Sequence, residues 1–152
     1  MAIDCNEHVV WITGGGSGIG KALAKEFLDR GAKVAISGRR LEKLQETAAE
    51  LSSDSQSVLS VVCDVTDSEA VKKSVAEVVG HFGKLDIVVA NAGFGVAGKF
   101  EKISPEQWKG QFDTNVLGVV HTLQAALPEI EKTNGRLAVV SSVMGKIAMS
   151  KS

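Results

Sequence analysis

Eight consecutive residues, Thr13-Gly14-Gly15-Gly16-Ser17-Gly18-Ile19-Gly20, carry the densest chemical signal in the chain. The apolar run Val9-Val10-Trp11-Ile12 precedes them, and the helical stretch Lys21-Ala22-Leu23-Ala24-Lys25-Glu26-Phe27 follows. A strand, a turn nearly free of side chains and a helix start set backbone N–H groups and a positive helix end against one spot, which suits phosphate oxygens. So many glycines cost backbone entropy that a merely structural turn would not need. The expectation is a dinucleotide site.

Four further polar or glycine features follow apolar runs. Gly38-Arg39-Arg40 comes after 33–37, Asp64-Val65 after 58–62, and Asn91-Ala92-Gly93 after 87–90, while 137–141 leads into Ser141-Ser142. Ligands of open α/β sheets bind outside the carboxyl ends of the strands, so all five features are expected on one edge. Asn115 stands on the apolar side of a long helical stretch, three residues after Phe112. An unpaired amide there would be costly, so a buried, partnered side chain is expected. Cys5 and Cys63 form no disulfide framework, and Cys63, in an apolar run, reads as a small core residue. His8, His81 and His121 show no metal-ligand spacing with one another or with the cysteines, and no metal is expected.

The elements that must hold these residues alternate. Apolar runs at 9–12, 33–37, 58–62, 87–90 and 137–141 are nearly continuous, as in parallel strands covered on both faces. Between them lie helical stripes: Ile19, Ala22, Leu23, Phe27; Leu41, Leu44, Ala48, Leu51; Val71, Val75, Val78, Val79, Phe82; and, over 104–131, Trp108, Phe112, Val116, Val119, Val120, Leu123, Leu127. Thr66-Asp67-Ser68-Glu69 and Ser104-Pro105-Glu106-Gln107 both fit a capping box. Gly31, Gly83 and Gly135 mark helix exits. The order βαβαβαβαβ predicts an α/β protein, a Rossmann-type doubly wound parallel sheet in three αβα layers, with 1–152 as a single domain. A net charge of -1 without a basic run argues against nucleic acid or an anionic membrane as partner. No apolar run approaches the roughly 20 residues of a membrane span, and the N-terminus lacks a secretory pattern. A cytoplasmic protein is expected.

The glycine spacing is T-G-x-x-x-G-x-G rather than G-x-G-x-x-G. Together with Asp64, Asn91-Ala92-Gly93, Asn115 and Ser142 in register, it resembles the short-chain dehydrogenase/reductase family from His8 to Ser150. A branch with epimerases and dehydratases would need glycine at Ser17, so serine there points to the oxidoreductase branch. The resemblance implies that Gly14, Gly16, Ser17, Gly18, Ile19 and Gly20 hold the cofactor, helped by Asp64 and Val65, with the Asp64 carboxylate accepting from the adenine amino group. Asn91, Ala92 and Gly93 would line the adenine ribose and brace the central sheet. No acid stands at Ser37 or Gly38 to bind the ribose hydroxyls of NAD, whereas the guanidinium groups of Arg39 and Arg40 suit the 2′-phosphate of NADP. NADP is therefore expected in preference to NAD. Ser142 would orient a substrate carbonyl, and Asn115 would hold a water in the proton relay. The substrate would be a small carbonyl or alcohol compound, with 94–100 at the pocket mouth, and the intact protein a homo-oligomer, a dimer or tetramer.

One member of the family's machinery is missing. Its acid–base is the tyrosine of a Tyr-x-x-x-Lys motif beyond the catalytic serine, and this sequence has no tyrosine. Lys146 and Lys151 lie near, but nothing makes either the motif lysine. The expectation is an incomplete piece, ending before that motif, which binds nucleotide but does not turn over by itself. Run 137–140 would then form an exposed apolar edge without a gatekeeper, and one face of the long helix would lie bare. A non-catalytic NAD(P)-binding sensor or interaction module and an NAD-dependent dehydrogenase are the alternatives.

Overall fold

The computed structural model describes residues 5–52, 54 and 56–142. Five parallel strands, β1 (Val9–Thr13), β2 (Lys33–Gly38), β3 (Val58–Val62), β4 (Ile87–Ala90) and β5 (Arg136–Val139), form one sheet in the order β3-β2-β1-β4-β5. Helices α1 (Gly18–Asp29), α2 (Leu41–Leu51), α3 (Ser68–Phe82), α4 (Pro105–Phe112) and α5 (Gly118–Thr133) fill the crossovers. The doubly wound, three-layer arrangement agrees with the alternation of patterns in the sequence. The chain order reverses beside β1, which places the switch point between the ends of β1 and β4.

β1 is buried along its whole length because its residues supply both cores. Val9 and Trp11 join Val71, Val75 and Val78 of α3 and Ala126 and Ile130 of α5. Val10 and Ile12 join Ala24 of α1 and Leu44 of α2 on the opposite face. Full burial of each such aliphatic side chain stabilises the fold by about 1.5–3 kcal/mol. The indole N–H of Trp11 donates to Ser37 Oγ at 3.0 Å, so its one polar atom is satisfied in the core. At the other end of β1, Asp86 Oδ2 accepts from Val9 N at 2.8 Å and pairs with Lys84 Nζ at 3.0 Å.

Several local expectations are corrected. The cap of α3 is Asp67, whose carboxylate accepts from Glu69 N and Ala70 N, and not Thr66, whose hydroxyl is turned to Asp64. A carboxylate at the positive helix end outcompetes the hydroxyl one residue earlier. The capping box at Ser104 forms as expected. Gly31 and Gly83 take positive φ at helix exits, but after α5 the left-handed residue is Asn134 (φ 51). Gly135 is needed for space instead: a Cβ there would lie 2.2 Å from Asp86 O. The long helix is interrupted, with a π-helical segment at Asp113–Leu117 joining α4 to α5. β1 and β2 each extend one residue beyond the expected end, and β5 is shifted to Arg136–Val139. β5 lies at the sheet edge with all four residues exposed, and Trp108, Phe112, Val116, Val120 and Leu127 form an exposed stripe along α4 and α5. Residues 143–152, with Lys146 and Lys151, lie outside the described residues.

Candidate functional site

At the switch point, two motif residues latch the ends of β1 and β4 together. Thr13 Oγ1 accepts from Asn91 N (3.0 Å) and Ala92 N (3.1 Å), while Asn91 Nδ2 donates to Thr13 O (2.9 Å) and Gly14 O (3.2 Å). Gly14 takes φ +66, and a Cβ on it would lie 2.9 Å from Ala92 Cα. Gly20 passes beneath the turn so closely that its Cβ would sit 2.4 Å from Gly14 O. The turn is tied to β2 through Gly15 N, which donates to Ser37 O at 3.0 Å.

The turn leads into α1 with an open N-terminus. Ser17 stands at the N-cap in extended conformation, its hydroxyl makes no bond to the first turn, and no acidic residue occurs there. The first N–H groups and the positive helix end are thus left to an anion. Beside them opens a cleft of about 180 Å³. Among the expected site residues, Gly14, Gly16, Ser17, Arg39, Arg40, Asp64, Val65, Ala92 and Gly93 line it; Gly20 and Asn91 brace the turn, and Gly18 and Ile19 begin α1, without lining the cleft.

The cleft has one basic corner. Arg39 and Arg40 follow β2, and Lys43 reaches in from the first turn of α2, its Nζ 3.0 Å from Glu46 Oε2. Asp64, half-buried on the far side, accepts at Oδ1 from Thr66 N (3.0 Å) and Thr66 Oγ1 (2.8 Å). The Thr66 N–H above all, then its hydroxyl and the Arg39 charge, hold the Asp64 carboxyl below its ordinary value. Because the folded state depresses this pKa, its contribution to stability is present above the unfolded value of about 3.9. It is lost as pH falls through the folded value. An acid titration of the unfolding midpoint below about pH 4 should therefore fall less steeply in Asp64→Asn, which keeps an acceptor oxygen but cannot titrate. Equal slopes would show that Asp64 is not linked to folding. Cys63 also lines the cleft but is a buried core residue, and burial pushes its thiol up.

Asn115 departs from expectation. It is exposed on the π-helical segment, and both ends of its amide are engaged by one residue: Oδ1 accepts from Phe94 N (3.0 Å) and Nδ2 donates to Phe94 O (2.8 Å). One turn earlier, Gln111 Oε1 accepts from Val96 N at 2.7 Å. The two amides hold the loop that leaves β4. The π-helical turn, a frequent accompaniment of functional sites, carries Asn115 and joins α4, which carries Gln111, to α5. Ser142 follows β5 as an exposed residue at the same sheet edge; neither it nor Asn115 lines the cleft.

Sequence reasoning missed Lys43, Thr114, Gln111 and Thr47. Lys43 and Thr114 line the cleft, and Thr47 Oγ1 donates to Gly16 O at 2.9 Å. Lys43 three residues after Arg40 was a readable signal, since a helix start at Leu41 carries it onto the first turn.

A family model described as short chain dehydrogenase matches residues 8–152. The chain is similar to an uncharacterized oxidoreductase of Staphylococcus aureus (strain MW2), 39% identical over 140 residues that make up 91% of this chain and 60% of that protein. It resembles the crystal structure of a 3-ketoacyl-(acyl-carrier-protein) reductase from Brucella melitensis complexed with NADH. The TM-score is 0.86 at 30% identity, covering 92% of this chain and 59% of that one. It also resembles an alcohol dehydrogenase from the archaeon Thermococcus sibiricus complexed with 5-hydroxy-NADP, with a TM-score of 0.87 at 33% identity, covering 93% and 61%. The chain thus spans about 60% of the length of the relatives it matches. Among the described residues, no helix is long and apolar enough to cross a membrane.

Proposed function

The chain belongs to the short-chain dehydrogenase family, and on that premise we propose that it binds NADP(H) in preference to NAD(H) and that the protein interconverts a carbonyl and an alcohol. The observation that carries this reading is the cleft itself, where an uncapped helix N-terminus meets a corner of three cations, Arg39, Arg40 and Lys43. The charges of that corner and the free N–H groups of the helix end suit the phosphate groups of a phosphorylated dinucleotide. The nucleotide, when bound, supplies a hydride donor or acceptor.

The remaining roles belong to the chain's own residues. Gly14, Gly16, Ser17, Gly18, Ile19 and Gly20 present backbone to the diphosphate, and Arg39 and Arg40 hold the 2′-phosphate. Asp64 and Val65 face the adenine, while Asn91, Ala92 and Gly93 keep the ribose side of the cleft in place. Asn115 acts through Phe94, fixing the loop over the reacting end, and Ser142 orients the carbonyl. No tyrosine occurs among the 152 residues, so this chain by itself carries no phenolic acid–base and is expected to bind without turnover. A single domain in the cytoplasm, with the α4–α5 stripe joining copies into a homo-oligomer, completes the proposal.

Calorimetric titration of the purified protein with NADP and NAD tests it. Tighter binding of NADP is the expected result, and binding of neither nucleotide overturns the proposal. Nucleotide oxidation or reduction by residues 1–152 in the presence of carbonyl or alcohol compounds would overturn the expectation that the chain alone is inactive.

A further inference from the structure

Buried hydroxyls on helices ordinarily return their proton to the carbonyl one turn earlier. Ser74 on α3 does so with Ala70 O at 2.9 Å, and Thr122 on α5 with Gly118 O at 2.7 Å. Thr47, fully buried in the middle of α2, does not. Its hydroxyl leaves the helix and donates to Gly16 O at 2.9 Å, in the middle of the glycine turn.

That bond has a consequence one atom further along the chain. Every described peptide bond is trans, so the carbonyl of Gly16 and the N–H of Ser17 point in opposite directions. Holding the carbonyl against α2 turns the Ser17 N–H away from that helix. Ser17 lines the cleft together with Arg39, Arg40 and Lys43, and no backbone carbonyl among the described residues accepts from its N–H. We propose that Thr47 is a positioning residue of the nucleotide site, its hydroxyl fixing the Gly16–Ser17 peptide so that the Ser17 N–H stands ready for a phosphate oxygen of the ligand. The proposal rests on reading the glycine turn as a nucleotide site. A donor oriented before the ligand arrives loses little freedom on binding, and the anion strengthens its bond.

The test is calorimetric titration of the purified protein with NADP, NAD, adenosine 2′,5′-bisphosphate and ADP-ribose. Thr47→Val should weaken binding of at least one of the last two by about five- to tenfold, while Thr47→Ser stays within about twofold of wild type. A loss confined to adenosine 2′,5′-bisphosphate places the N–H at the 2′-phosphate, and a loss confined to ADP-ribose places it at the diphosphate. Glu50→Gln controls for a general loosening of α2, because it removes the Lys21–Glu50 ion pair that also ties α2 to α1; it should leave all four affinities unchanged. Unaltered affinities in Thr47→Val, or an equal loss in Glu50→Gln, overturn the proposal while leaving the nucleotide reading intact. If wild type binds none of the four ligands, both fall. Should Thr47→Val fail to fold, the amide resonance of Ser17 in the wild-type protein decides: a shift on saturation with either phosphate probe supports the proposal, and an unmoved resonance with both overturns it.

Discussion

Gly20→Ala is expected to abolish nucleotide binding and to destabilise the protein by about 2–3 kcal/mol, the sum of overpacking and lost hydrogen bonding less a helix-propensity gain. Gly20 lies in the first turn of α1, where alanine would ordinarily be the better residue. Here the added Cβ would sit 2.4 Å from Gly14 O and 2.6 Å from Asn91 Nδ2. The first neighbour is backbone and cannot rotate away. The second is the amide that holds Thr13 O and Gly14 O, so relief of the clash breaks the latch between β1 and β4. Gly80→Ala is the internal control, since Gly80 lies within α3 and a Cβ there would meet nothing within 4 Å beyond its chain neighbours and its own helix backbone. That substitution should stabilise by about 0.5–1 kcal/mol from helix propensity alone. Chemical denaturation of the two variants reads both signs, and nucleotide titration reads the function. A Gly20→Ala protein that binds as wild type does would show that the turn is not the ligand cradle.

What the residues disclosed depended on how local the cause was. The strands were legible because a parallel sheet covered on both faces demands nearly continuous apolar runs, and Val9 to Ile12 is such a run. The site edge was legible because those runs give way at their carboxyl ends to glycine and polar residues that a core does not need, as at Gly38-Arg39-Arg40 and Asn91-Ala92-Gly93. Where the cause is a partner far along the chain, the local pattern misled. Asn115 looks buried beside Phe112, yet its amide is used on Phe94, 21 residues earlier. The π-helical turn that carries it has no sequence signature of its own, since α4 and α5 keep one apolar stripe across it. Thr47 sits in an amphipathic stretch whose pattern identifies the helix but not the carbonyl of Gly16. Thr66 and Asp67 show the narrower case of two adjacent capping residues, where the charge at the helix dipole decides the outcome.

The corner of the cleft makes the sharpest functional claim, and Arg39→Ala is expected to weaken NADP binding by roughly ten- to a hundredfold while NAD changes by less than about twofold, the range of a charge-assisted hydrogen bond. Two features push the loss toward the lower end. Arg40 and Lys43 line the same corner and keep it positive, and a 2′-phosphate there would still meet their charges. Arg39→Ala combined with Lys43→Ala should therefore lose more than Arg39→Ala alone. Salt should separate the nucleotides further, because screening weakens a contact between exposed charges: raising ionic strength should cost NADP more affinity in wild type than in Arg39→Ala. The variant also has a readout with no ligand present. The Arg39 charge is one of the influences that lower the Asp64 carboxyl, so its removal should move the Asp64 titration upward, toward the ordinary carboxylate value. Equal losses of NADP and NAD would assign Arg39 to the adenine or ribose common to both. No loss of either would remove Arg39 from contact with the 2′-phosphate, and a moved Asp64 titration would then show that Arg39 serves the carboxylate rather than the cofactor.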